Sequence, residues 1–173
     1  MTVDGQMDLL GDEPSGPTLA EAKAQVEAGR AEGIECPCCG QFARTYRRKL
    51  PGTSAVVMIA MHQSKQADRD GFIFMPDLLT RVGRRAERQG GDWAKAVHWG
   101  MIRQHPGERP DGSKRNGWWK LTEVGRAFVT DAIAVQKYAV VFDNQCLGLE
   151  GERVRVRDVL GTRFNYEELL RGV

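Results

Sequence analysis

Apolar residues recur along this chain in short blocks, most at helical spacing and a few at the two-residue spacing of strands. Residues 1–17, "MTVDGQMDLLGDEPSGP", show neither period and are expected as a flexible acidic arm. Thr18, with Glu21 three residues later, forms a capping box. It opens a helix over "TLAEAKAQVEAG" that Gly29 or Gly33 ends, with a weak apolar face of Leu19, Ala22 and Val26. Pro51 to Ser54 break and cap a second helix, from about Ala55 to Lys65. Val56, Ile59 and Ala60 form its stripe, with Ala55, Met58 and His62 beside them; His62 is expected at the edge of the core. Phe72 to Met75 read as a short strand. Pro76 then starts a helix over "DLLTRVGRRAERQ", with Leu78, Leu79, Val82 and Ala86 inward and Arg81, Arg84, Arg85 and Arg88 outward. Gly90 and Gly91 stop it, and Asp92 caps a short helix, "WAKAVHW", one face of which carries Ala94, Val97, His98 and Met101.

"MIRQ" and "WWKLT" read as the strands of a hairpin with the polar tip "HPGERPDGSKRNG". Thr122 caps a helix over "TEVGRAFVTDAIAV", with Val124, Phe128 and Ala132 inward. Ala139 to Phe142 and Arg153 to Arg157 read as strands around a Gly-rich turn, Val154 and Val156 alternating with arginines, and "FNYEELL" closes as a short helix. The expected fold class is α+β. The acidic arm (1–17) precedes a helix with a zinc-knuckle-like cysteine segment (18–50), and a winged helix-turn-helix (51–135) follows. A C-terminal β-hairpin and short helix (136–173) would pack on the knuckle.

The 173 residues, 41% apolar and 28% charged, suffice for a hydrophobic core. The longest apolar run, Ser54 to Met61, is far short of the roughly 20 residues that span a membrane, and the acidic start is unlike a signal peptide, so a cytoplasmic protein with no membrane partner is expected. The net charge of +2 hides an uneven distribution. Residues 1–35 carry 8 acids and 2 bases (−6), 36–129 carry 8 acids and 17 bases (+9), and 130–173 carry 7 acids and 6 bases (−1). A basic middle block suits an anionic partner, because Lys and Arg displace counterions condensed on phosphates. The competing reading is a solvated surface balanced by the acidic arm.

Within that block, "CPCCG" pairs Cys36 with Cys39 in a CxxC turn, and Gly40 permits the positive φ such a turn often needs. No second CxxC follows at ribbon spacing. A structural Zn²⁺ held by Cys36, Cys39, Cys146 and His98, with Cys38 a spectator, is the expected cofactor site. Three alternatives stand beside it. A redox CxxC should open a helix after a buried strand, which "RAEGIE" does not supply. Free thiols would suit a reducing compartment. Catalytic zinc would need three ligands and an open position, and no HExxH spacing occurs.

"HWGMIRQ" and "NGWWKLTEVGRAFV" resemble the wing of the MarR-like and PadR-like families, in which an aromatic and apolar strand runs into LTxxG, as Leu121, Thr122 and Gly125 do here. Joined to "CPCCGQFARTYRRKL" and "FNYEELL", the segment from about 18 to 173 resembles a group of small proteins of tailed bacteriophages, especially those of actinobacterial hosts. The resemblance implies a winged-helix fold with a zinc knuckle and a DNA-binding or host-interaction role, and no particular reaction.

The residues expected to meet nucleic acid are Arg47, Arg48, Lys49, Arg84, Arg85, Arg88 and Lys95, with Arg109, Lys114 and Arg115 on the wing. The helix "DWAKAVHWG" lacks the Arg, Asn and Gln fan of direct base readout. The expected function is therefore a small binder of nucleic acid, double-stranded DNA first, with a regulatory role. The alternative is a module that holds a host or phage protein through the winged-helix surface, with Trp93 or Trp118 as anchors. No phosphate-cradling Gly loop, GxSxG elbow or suitably spaced carboxylate pair points to an enzyme; Glu167 and Glu168 are expected to face solvent.

Overall fold

Gly52–Gln63 (α2) is the helix on which most of the chain is built, and its sequence is apolar on every side rather than along one stripe. In this computed structural model, which describes residues 16–83, 90–108, 112–113 and 117–171, Thr53 to Ile59 and Met61 are all buried. A helix apolar all round needs neighbours all round. The later helices of the chain and strand Trp118–Leu121 supply them. The helix therefore starts at Gly52 with Pro51 as its N-cap, and Thr53 and Ser54 lie within it instead of capping it. Ser54 donates to the carbonyl of Asp92 at 3.2 Å. His62 is exposed, not at the core edge.

The chain divides into two units, one ending at Tyr46 and one beginning at Arg47. In the first, Leu19–Gly29 forms α1, and Ile34–Glu35 (β1) pairs antiparallel with Phe42–Ala43 (β2), Ile34 opposite Ala43. Ala22 is the buried residue of α1, whereas Leu19, expected inward, is 80% exposed. Gly33, at φ +102°, is held under the ring of Phe42, where a β-carbon would come within 2.4 Å.

The expected capping box is present: Thr18 N–H donates to Glu21 Oε2 at 2.8 Å, and Glu21 N–H donates to Thr18 Oγ1 at 3.3 Å. The Thr18 N–H bond first, and then the Thr18 hydroxyl, which donates to the same Glu21 Oε2 at 2.8 Å, hold the Glu21 carboxyl below its ordinary pKa. A folded value below the unfolded one makes the box's contribution complete above the unfolded pKa and lost as pH falls through the folded one. NMR titration of Glu21 should show the depressed value, and Thr18→Ala should return it toward the ordinary carboxylate range.

The second unit is mixed α+β. It takes in all of β3 (Tyr46–Lys49) but its first residue, then α2, β4 (Ile73–Phe74), α3 (Met75–Val82), a 3₁₀ helix (Gly90–Trp99) kinked at Gly91, β5 (Ile102–Gln104), β6 (Trp118–Leu121) and α4 (Glu123–Val129). β7 (Val135–Phe142), β8 (Gln145–Val154), α5 (Val156–Leu160) and α6 (Tyr166–Arg171) complete it. One sheet has the order β4-β6-β5, both pairings antiparallel, and the other has the order β3-β7-β8. A single core shared by α2, the 3₁₀ helix and both sheets joins the segments 51–135 and 136–173 into one unit.

Several elements depart from the expected pattern for physical reasons. A 3₁₀ helix repeats every three residues, so Trp93, Ala96 and Trp99 face inward, and Val97, expected to share a face with Ala94, His98 and Met101, is 44% exposed while Met101 is buried. In α4 the buried residues are Gly125, Phe128 and Val129; Val124 is exposed, and Ala132 lies past the helix end. The β7–β8 turn is Asp143–Asn144, both at positive φ, as tight two-residue hairpins require. Gly148 and Gly151 therefore sit within β8. β8 ends at Val154, and Val156 opens α5, where Arg155 N–H donates to Asp158 Oδ2 at 2.8 Å. Ala86 lies outside the described residues. No helix among the described residues is long and apolar enough to cross a membrane.

Candidate functional site

Of the expected cations, Arg47, Arg48 and Lys49 occupy β3 and Lys95 lies on the 3₁₀ helix, while Arg84, Arg85, Arg88, Arg109, Lys114 and Arg115 fall outside the described residues. Strand alternation sends Arg48 to the opposite face from Arg47 and Lys49. Arg47 stacks its guanidinium 3.9 Å over the Tyr138 ring and donates through Nε to Glu150 Oε1 at 2.5 Å. Lys95 pairs with Asp92 at 2.5 Å. Lys49 lines a depression of about 320 Å³ with Leu50, Lys137, Glu152, Arg153 and Asp158. Lys137 and Glu152 form an ion pair there, and the hydrogen bond between them raises the pKa of the lysine and lowers that of the glutamate. The basic strand is thus interleaved with carboxylates. Exposed pairs of this kind hold weakly and are screened by salt, so a phosphate can exchange for the carboxylate.

His98 is half-buried on the 3₁₀ helix. Burial foremost, then the charges of Arg48 and Lys95, push its pKa down, which favours the neutral imidazole. It is therefore suited to accept a hydrogen bond or a metal, not to meet a phosphate as a cation.

The cysteine turn lies between β1 and β2. Cys36 N–H donates to Gln41 O and Gly40 N–H to Cys36 O, each at 2.8 Å, with Gly40 at φ +69°. The backbone N–H groups of Cys38 and Cys39, and then the Cys39 thiol, hydrogen-bond the sulfur of Cys36 and push its pKa down. Such donors favour a thiolate, the form that binds metal. Cys38 Sγ instead contacts the Pro17 carbonyl at 3.7 Å. Cys36 and Cys39 therefore fit two positions of a tetrahedral thiolate site. Among the described residues, no three His, Cys, Asp or Glu side chains gather where they could hold an ion. Cys146 sits on β8 beside the Asp143–Asn144 turn, its thiol 3.4 Å from Gly148 O.

Sequence reasoning missed Tyr138, Glu150, Lys137 and Glu152. Arg47 and Glu150 are 103 residues apart, and no local pattern links them. Set against protein-family models, curated proteins and solved structures, the chain finds no match.

Proposed function

We propose that residues 51–135 act as a winged helix-turn-helix that docks on double-stranded DNA chiefly through phosphate contacts. The observation that carries this reading is the sheet order β4-β6-β5, in which the strand before α3 pairs with the returning strand of the β5–β6 hairpin. In this reading the 3₁₀ helix would serve as the recognition helix and residues 105–117, between β5 and β6, as the wing. Arg109, Lys114 and Arg115 give this loop its charge. The test is fluorescence anisotropy with a random-sequence duplex, comparing the native chain with Arg109→Ala/Lys114→Ala/Arg115→Ala. Binding should weaken sharply in the triple variant; equal binding would overturn the proposal.

The cysteine turn has a structural part in this reading. Cys36 and Cys39 would supply two thiolates to Zn²⁺. A bound ion would supply cross-linking only, fixing the β1–β2 turn. Elemental analysis of purified protein should find about one zinc per chain. Cys36→Ser and Cys39→Ser should lose it and Cys38→Ser should keep it; the reverse pattern would contradict this ligand choice.

A second reading, a module that holds a host or phage protein, is favoured by the surface of the 3₁₀ helix itself. Val97 is exposed there, and Lys95 is engaged by Asp92. Failure of duplex binding at every salt concentration would leave this reading.

A further inference from the structure

The sheet β4-β6-β5 has two faces, and only one serves the main core. Ile73, Ile102, Trp119 and Leu121 point inward, with Trp119 edge-on to Trp93 at 5.3 Å. Alternation sends Phe74, Trp118, Lys120 and Arg103 to the other face, where Phe74 pairs with Trp118 and Arg103 with Lys120 across the strands. Phe72 precedes β4 by one residue, and His105 N–H donates to Trp118 O at 2.9 Å, which brings both onto this outer face.

The aromatics there form a layer of their own. The Phe74 and Trp118 rings are 5.4 Å apart, the Phe72 and His105 rings 4.4 Å, and Lys120 Nζ lies 4.4 Å over Phe72. None of Phe72, Phe74 and Trp118 belongs to the main core cluster, and Phe74 and Trp118 stay partly open to solvent. Core packing therefore does not account for two large rings side by side on this surface.

The cations beside them are placed at a cost. Like charges directly opposite one another destabilise a strand pair, yet Arg103 faces Lys120. The Asp70 main-chain carbonyl accepts from Lys120 Nζ at 2.8 Å, and Asp68 Oδ1 accepts from the N–H groups of Asp70 and Phe72, closing the turn. Register thus puts two cations on this face, Arg103 on β5 and Lys120 turned toward the β4 edge. The hairpin as a whole is basic: residues 102–121 carry 5 bases and 2 acids.

Flat rings interleaved with cations on an open sheet are what an unpaired nucleotide needs, a π-surface for the base and positive charge for its phosphate. We infer that the outer face of β4-β6-β5 binds single-stranded nucleic acid, one base stacking on Trp118 and Phe74 and an adjacent phosphate lying against Arg103 and Lys120. This rests on the nucleic-acid reading above but uses a different surface from the loop and the 3₁₀ helix. A protein bearing both surfaces would engage a junction or a frayed duplex end better than continuous duplex.

The test uses the full chain with a labelled oligothymidylate and, separately, a random duplex, followed by anisotropy and by quenching of tryptophan emission. The single strand should quench the native protein. Trp118→Ala should lower single-strand affinity by about ten-fold or more, within the range of one base–aromatic stack, and leave duplex affinity nearly unchanged; Trp118→Phe should restore most of the loss. Should Trp118→Ala misfold by circular dichroism, Arg103→Ser, at an exposed strand position, gives the same comparison. Duplex binding without single-strand binding, or equal single-strand affinity in native and variant chains, overturns this inference and leaves the duplex reading standing. Failure to bind either ligand overturns both and leaves the face to a protein partner.

Discussion

Replacing Gly125 by alanine is expected to destabilise the second unit by about 1–3 kcal/mol net. A β-carbon there would lie 2.1 Å from the carbonyl oxygen of Met101 and 3.0 Å from Leu121 Cδ2. The first of these meetings is with backbone, so no rotamer change relieves it. That carbonyl is also the acceptor of Thr122 N–H at 2.9 Å. Thr122 Oγ1 in turn accepts from Gly125 N–H at 3.1 Å and donates to Gly100 O at 2.6 Å. The start of α4 is therefore bolted to the chain entering β5. Forcing them apart adds a steric penalty of about 1–3 kcal/mol to a lost cap of about 1 kcal/mol. The helix propensity gained by alanine over glycine, at most about 1 kcal/mol, opposes this and is the smaller effect. A lowered urea midpoint with unchanged m-value would bear this out; an unshifted midpoint would show that α4 and β5 are not held in this way.

Duplex affinity is expected to fall about 10³-fold or more between 50 and 200 mM salt if about six phosphates are neutralised. Arg109, Lys114 and Arg115 would supply three of the charges, and Arg84, Arg85 and Arg88, which follow α3 in the sequence, are the proposed source of the rest. Arg47 and Lys95 should contribute less than their formal charge. Each already has a carboxylate partner, Glu150 and Asp92, that a phosphate must displace. Sequence preference should be small, because the 3₁₀ helix has few side chains suited to base edges.

Much of the fold was legible because capping and alternation are local. Thr18 with Glu21, and Thr122 three residues before Gly125, mark helix starts that are present as expected. The strands at Ile73, Ile102 and Trp118 were readable from their apolar and aromatic runs between turn residues. What was not legible depends on distant neighbours. Thr53 and Ser54 read as the cap before α2 because they are polar, yet packing on all sides carries the helix through them. The 3₁₀ winding of 90–99 turns Val97 outward, and helical spacing read as 3.6 assigns that face wrongly.

The candidate site divides in the same way. The CPxCG spacing pointed to the turn that directs two N–H groups at Cys36. The pairing of Arg47 with Glu150 and of Lys137 with Glu152 arises only when β3, β7 and β8 come together. The aromatic outer face was hidden for another reason. Phe72, Phe74 and Trp118 read as ordinary strand residues until register shows which side of the sheet they share.

The most direct measurement is the slope of log affinity for a random duplex against log salt concentration, taken for the native chain and for Arg109→Ala/Lys114→Ala/Arg115→Ala side by side. Docking through phosphates predicts a steep native slope that becomes shallower by roughly three in the variant, close to one for each cation removed. A flat native slope, or the same slope in both proteins, would contradict it.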